Sequence, residues 1–238
     1  MTYKINKTAK PYLRYVGQEK TPIFILDNFL QNLSQSMLQN LEQLVFEPSN
    51  TFYPGIQAKL PDKYILTVAN AIVPLLYKIY EIPIDYKVTF FDSYYSLITS
   101  EPRSLSIEQQ IPHFDGTDKY RFALLHYLSE KSHGGTAFYR HVNSDFERIN
   151  EFREVEFLRL VSHYYKNNPP KEQRYINDNN TQFTKIGEIP FVQNRLAIYP
   201  GNLLHSGLIN PSTDIQESPA SGRLTANIFL NFVSPDIS

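Results

Sequence analysis

The sequence predicts an α+β, mainly β protein: a double-stranded β-helix (jelly roll) flanked by N-terminal helices. From Tyr86 onward apolar residues recur with period two in a succession of short segments broken by Gly, Pro and Asn. Helical spacing is concentrated near the front of the chain. Tyr and Phe, at 17 and 16, are abundant, which favours strands and an aromatic-lined interior.

The elements follow in order. Residues 22–30, Pro-Ile-Phe-Ile-Leu-Asp-Asn-Phe-Leu, read as a short buried strand. Leu33, Met37, Leu41 and Leu44 then recur at helical spacing behind a possible Ser34 cap, and Pro48 ends the segment. A linker with Pro54, Gly55 and Pro61 leads to a second helix over 62–80, whose apolar side carries Ile65, Val68, Ala69, Ile72, Leu76 and Ile79. Pro74 is expected to bend it. Lys87–Ile98 reads as one or two strands, followed by a polar loop over 99–110 and a strand over 120–128. In that strand Arg121, Ala123, Leu125 and Tyr127 share one face, and Phe122, Leu124 and His126 the other. Gly134-Gly135 turns the chain into a strand from Thr136 to Tyr139.

Residues 144–166 read as a helix with a stripe of Phe146, Ile149, Phe152, Val155, Leu158, Val161 and Tyr165. With the polar loop after it, this makes an insert at about 143–181, placed as a lid or as decoration. Phe183–Ile189, Arg195–Tyr199 and Arg223–Phe232 are the remaining strands. The whole reads as a single domain over 1–238, with a supporting part at 1–85 and a β core at 86–233.

Composition narrows the function. The formal charge of -1 gives no basic surface, so neither nucleic acid nor a membrane is expected as a partner. Cysteine is absent, which excludes thiolate metal sites, thiol nucleophiles and a disulfide framework. Met1–Lys10 is polar and carries Lys4, Lys7 and Lys10 with no apolar run behind it, unlike a signal peptide, so a cytoplasmic setting is expected. No Gly-rich phosphate loop, Gly-x-Ser-x-Gly elbow or Cys-x-x-Cys pair is present.

The chemistry centres on Ile111-Pro112-His113-Phe114-Asp115-Gly116. On an extended backbone His113 and Asp115 face one way and Phe114 the other. An imidazole and a carboxylate side by side fill two adjacent corners of a metal's coordination sphere. A distant His would complete a two-His, one-carboxylate face with open positions, the set that suits non-haem Fe(II). His126, His133, His141 and His163 are not expected to be ligands.

The order His113-x-Asp115, His205, Gly222-Arg223-Leu224-Thr225 resembles the 2-oxoglutarate- and Fe(II)-dependent dioxygenases, in particular their prolyl-hydroxylase-like branch. Gly134-Gly135-Thr136-Ala137-Phe138, Asn194–Gly201 and Leu26–Leu30 are similar to further marks of that superfamily. The resemblance implies that His113, Asp115 and His205 hold Fe(II), and that 2-oxoglutarate and O2 take the open positions. Arg223 would clamp the far carboxylate of 2-oxoglutarate, with a hydroxyl from Thr225 and a phenol from Tyr127; Tyr94 or Tyr95 would lie near its other end. His205 and Arg223 are 18 residues apart, longer than the usual pattern, and a loop over 210–222 with Pro211 and Pro219 absorbs the excess. Halogenating members lack the carboxylate, so Asp115 implies hydroxylation or a related oxidation: 2-oxoglutarate and O2 are converted to succinate and CO2 while a C–H bond of a small molecule or an amino-acid or peptide side chain is oxidised. The competing readings are a non-catalytic, cupin-like metal-binding module and a cupin-like metal enzyme that does not use 2-oxoglutarate.

Overall fold

A computed structural model describes residues 3–31, 33, 41, 43–91 and 93–235. Strands β1 (Pro11–Val16), β2 (Thr21–Leu26), β3 (Glu47–Pro48) and β4 (Gly55–Lys59) precede helix α1 (Asp62–Ile79). Then come β5 (Lys87–Phe90), β6 (Tyr94–Ile98), β7 (Arg121–Tyr127) and β8 (Thr136–His141). Helix α2 (Glu151–Asn167) leads to β9 (Phe183–Ile189), β10 (Leu196–Pro200), β11 (His205–Gly207), a short helix α3 (Pro211–Asp214) and β12 (Thr225–Val233). Among the described residues the strands form two antiparallel sheets. The larger runs β1-β2-β10-β7-β12-β6-β4-β3, with β5 on β12, and the smaller runs β11-β8-β9. No helix among the described residues is long and apolar enough to cross a membrane.

Alternation along β7 and β12 divides the interior as their sequences require. Phe122, Leu124, Leu224, Ala226, Ile228, Leu230 and Phe232 join Tyr64, Val68, Ile72 and Leu76 of α1 in one apolar cluster. Ala123, Leu125 and Tyr127 face the other way, into a second cluster with Phe138 of β8 and Leu203. The functional side chains sit in this inner layer between the sheets.

The front of the chain departs from expectation. It supplies four strands to the large sheet rather than one. β1 escaped notice because it is an edge strand whose residues are mostly exposed, so it carries no buried stripe. β4 lies in the Pro- and Gly-rich stretch that reads as a linker, and is held by pairing with β6 rather than by its own pattern. Helix α1 has the expected apolar side and continues through Pro74 to Ile79. Ser34 and Met37 of the expected first helix lie outside the described residues.

Helix α2 corrects the expected stripe. It begins at Glu151, after Asn150 caps it by accepting from the backbone N–H groups of Phe152 and Arg153. Phe157 and Val161 are its buried apolar residues, while Phe152 and Val155, 84% and 76% exposed, and Leu158 face solvent. The reason is geometric. A run spaced purely by three turns about 300° per step and winds around the helix, whereas the i, i+4 pair Phe157 and Val161 holds one face.

Candidate metal centre

The His113–Asp115 stretch is tied down from both sides by its own backbone. His113 and His205 exchange N–H···O bonds of 2.9 Å in both directions, and Asp115 N donates to Gly201 O at 2.7 Å. The stretch is therefore an extended rung beside β11, and alternation turns His113 and Asp115 toward the cavity. Phe114, pointing the other way, meets Phe157 of α2 edge-on at a ring separation of 6.0 Å. The insert helix thus braces the back of the pair.

The three side chains converge. His113 Nε2 is 3.8 Å from one Asp115 oxygen and His205 Nε2 3.7 Å from the other. All three potential ligand atoms lie within 4.8 Å of one another. Two bonds of about 2.1 Å to one ion permit donors at most about 4.2 Å apart, so small side-chain rotations suffice to close on a cation. His205 Nδ1 lies 2.8 Å from the carbonyl oxygen of Leu203. A carbonyl only accepts, so Nδ1 carries the hydrogen and Nε2 presents its lone pair to Asp115 and His113. Asp115 Oδ2 is buried without a hydrogen-bond partner. A buried carboxylate oxygen left unpaired is costly unless a cation meets it, so the donor set fits a divalent metal.

Electrostatics agree with that fit. Burial pushes the His205 imidazole down to about 4, opposed by its bond to Leu203. Burial and the neighbouring His205 push His113 down to about 4, opposed by Asp115. The His113 side chain is 54% exposed, so water softens the effect there and the shift is firmest at His205. Both rings are neutral and available as ligands near pH 7. Burial pushes the Asp115 carboxyl up, opposed by His113 and Arg121, and a bound cation reverses that cost.

The three residues open onto a cavity of about 730 Å³ that also takes in Arg223, Thr225, Thr136, Tyr53 and Tyr94. Arg223 is buried. Its Nε donates to Gly134 O at 2.7 Å and its Nη2 to Gly135 O at 2.9 Å. One edge of the guanidinium is thereby fixed, leaving Nη1 and the second Nη2 hydrogen as a fork. Tyr127 donates its hydroxyl to Thr136 Oγ1 at 2.9 Å, so Thr136 is the member of that pair on the cavity wall. Tyr94 lines the cavity, whereas Tyr95 packs in the cluster against α1.

Tyr53 is the residue that sequence reasoning missed. Its hydroxyl is buried with no partner in good hydrogen-bond geometry, and burial pushes it up to about 12 although the Arg223 charge and the nearby Ser96 oppose. The only signal was an aromatic beside Pro54 in an apparent linker.

The long interval before Arg223 has a structural use. Asp214, at the end of α3, accepts from Gly134 N at 3.0 Å and Asn210 N at 2.9 Å, and pairs with His133 Nδ1 at 2.9 Å. The loop over 210–222 thus fixes the glycine pair whose carbonyls hold Arg223. Asp92, a conceivable acidic partner for Arg223, lies outside the described residues.

The other histidines have structural partners. His126 lies between Tyr64 Oη at 2.6 Å and Asn194 Oδ1 at 3.1 Å, and His141 bonds Ser144. His163 is on α2 beside Asn167. Among the described residues no second cluster of three or more His, Asp or Glu side chains is placed to hold a metal ion.

No curated protein matches the chain. The structure is similar to that of HygX from Streptomyces hygroscopicus, solved with nickel and 2-oxoglutarate bound, with a TM-score of 0.48 and 11% identity over 90% of this chain and 84% of HygX. The sequence model of DUF6445, a family of unknown function, matches residues 7–230, and the chain belongs to that family.

Proposed function

We propose that this chain is an Fe(II)- and 2-oxoglutarate-dependent oxygenase with a jelly-roll core, of the prolyl-hydroxylase-like branch, that hydroxylates a C–H bond of a small molecule or an amino-acid or peptide side chain. The observation that carries the reading is the meeting of His113, Asp115 and His205 on the wall of a cavity that also holds Arg223 and Thr225. His113, Asp115 and His205 would hold Fe(II). Bound there, the metal supplies activation of O2 coupled to conversion of 2-oxoglutarate to succinate and CO2.

The protein's own part is positioning. Arg223 would clamp the far carboxylate of 2-oxoglutarate with two parallel hydrogen bonds, and Thr225 would add a hydroxyl. The Leu203 carbonyl holds the His205 tautomer, and Phe157 holds the His113–Asp115 rung from behind. Ile111, Ala123 and Phe229 give the cavity apolar walls beside the reacting groups.

The cavity and the fixed arginine weigh against a non-catalytic, cupin-like module, because a metal held for stability needs neither. The test is succinate formation from 2-oxoglutarate by Fe(II)-loaded protein in air, across a panel of amino acids, peptides and small organic compounds. The proposal expects succinate above the slow uncoupled background with at least one compound, and no succinate from His205→Ala. Metal binding without succinate from any compound, and without 2-oxoglutarate binding, would return the chain to the module reading.

A further inference from the structure

We infer that the substrate carries a carboxylate, which Arg121 holds at the end of the cavity away from Arg223, with the substrate's apolar body against the aromatic wall. Arg121 lines the same cavity as the His-Asp-His set. Its guanidinium lies 4.2 Å over the ring of Phe91, which fixes its plane. Its Nε is buried and has no hydrogen-bond partner. Among the described residues no carboxylate forms an ion pair with it. Glu108, also on the cavity wall, is exposed.

The fold makes room for this side chain. A Cβ on Gly116 would come within 2.7 Å of Arg121 Nη1, and one on Gly201 within 3.3 Å of both Arg121 Cγ and Asp115 Cβ. Two glycines thus let a cation lie alongside the metal-binding carboxylate. Gly201 N also donates to Arg121 O at 2.8 Å, which fixes the backbone there.

Strand register separates the two arginines. In the β7–β12 ladder Asn231 opposes Arg121 and Thr225 opposes Tyr127. Six residues along a strand span about 20 Å. A small dicarboxylate held between the metal and Arg223 therefore leaves the Arg121 side of the metal open, and about 730 Å³ gives space there for a second organic molecule. Phe91, Phe229 and Tyr199 offer that molecule an apolar wall.

The inference rests on the proposed reading only in giving 2-oxoglutarate to Arg223. Its test is calorimetric titration of phenylacetate and 3-phenylpropionate against their primary amides. The titrations use protein loaded with Zn(II) and 2-oxoglutarate and, separately, metal-free protein. An N-acetylated, C-amidated Leu-Glu-Leu peptide and its Gln counterpart form the arm for a polypeptide source. At least one acid is expected to bind about 10-fold or more tighter than its amide, the effect of a charge-assisted hydrogen bond in a partly buried site. Preference for the Glu peptide alone assigns the carboxylate to a polypeptide. Arg121→Gln removes the preference and Arg121→Lys keeps part of it, while Arg121→Gln, compared at full Zn(II) occupancy because its charge acts on Asp115, leaves 2-oxoglutarate affinity within about twofold.

Equal affinity for acids and amides, or no acid bound at millimolar concentration in any arm, overturns the inference. So does loss of 2-oxoglutarate binding in a folded Arg121→Gln protein, because Arg121 would then serve the co-substrate. A wild-type protein that ignores 2-oxoglutarate but prefers acids through Arg121 in the metal-free arm sinks the oxygenase reading and supports this one.

Discussion

Arg223 offers the sharpest perturbation away from the metal ligands. Removing its guanidinium does two separable things. It leaves the carbonyls of Gly134 and Gly135, which now accept at 2.7 and 2.9 Å, without their donor. Each such loss costs about 1–3 kcal/mol, so a stability loss of about 2–6 kcal/mol is expected, reduced where water replaces the donor. It also removes the fork facing the proposed carboxylate, worth about 1.5–3 kcal/mol, or roughly 10- to 150-fold in 2-oxoglutarate affinity. Arg223→Lys keeps the charge but not the fork, and retains an intermediate affinity. The assay is calorimetric binding of 2-oxoglutarate to Zn(II)-loaded protein, with thermal melting run beside it to confirm that each variant is folded. A folded Arg223→Gln protein with wild-type 2-oxoglutarate affinity would refute the clamp, whatever its melting point.

Further perturbations probe the supports of the site. Phe157→Ala removes the ring behind Phe114 and is expected to destabilise the fold by about 3–5 kcal/mol and to weaken metal binding; an unchanged metal Kd in the folded variant would show that the rung needs no brace. Asp214→Ala strips His133, Gly134 N and Asn210 N of their shared acceptor, with an expected cost of about 3 kcal/mol and a fall in 2-oxoglutarate affinity through displaced glycine carbonyls. Burial pushes the Asp214 carboxyl up, but bonds from His133, Asn210, Gly134 and Thr213 outweigh it and hold the group low. Its stabilising contribution is therefore present above the ordinary carboxylate range and disappears as pH falls through the lowered value, so acid melts of wild type and Asp214→Asn should converge. With His205 pushed down to about 4 and the half-exposed His113 lowered in the same direction, protons compete weakly with a metal. Apparent metal affinity should stay nearly flat from about pH 8 to pH 6 and fall as pH approaches the lowered values, whereas a steep loss already at about pH 6.5 would indicate ordinary histidines.

How much of this could be read from the chain depended on where each signal resides. Period-two alternation in β7 and β12 grouped Ala123, Leu125 and Tyr127 on one face and Leu224, Ala226 and Ile228 on one face, and the structure buries these two groups in different clusters. His113, Asp115 and His205 were legible because chemistry demands those residue types in that order, however far apart they lie. Elements that depend on tertiary pairing were not legible. β4 looked like a linker because its order comes from β6, and β1 looked featureless because an edge strand buries little. Tyr53 was hidden for the same reason: its place on the cavity wall follows from a strand that local pattern does not reveal. The interval between His205 and Arg223 is long because it carries Asp214, which holds the glycine pair that in turn holds Arg223, a tertiary role that no local pattern reveals.

The account stands on three side chains sharing one cation. Anaerobic titration of metal-free protein with Fe(II) and then 2-oxoglutarate measures this directly, through the weak visible charge-transfer band of the chelate. The band should grow to one equivalent in wild type and be absent from His113→Ala, Asp115→Ala and His205→Ala. A band of wild-type intensity in any one of those variants would contradict the shared site.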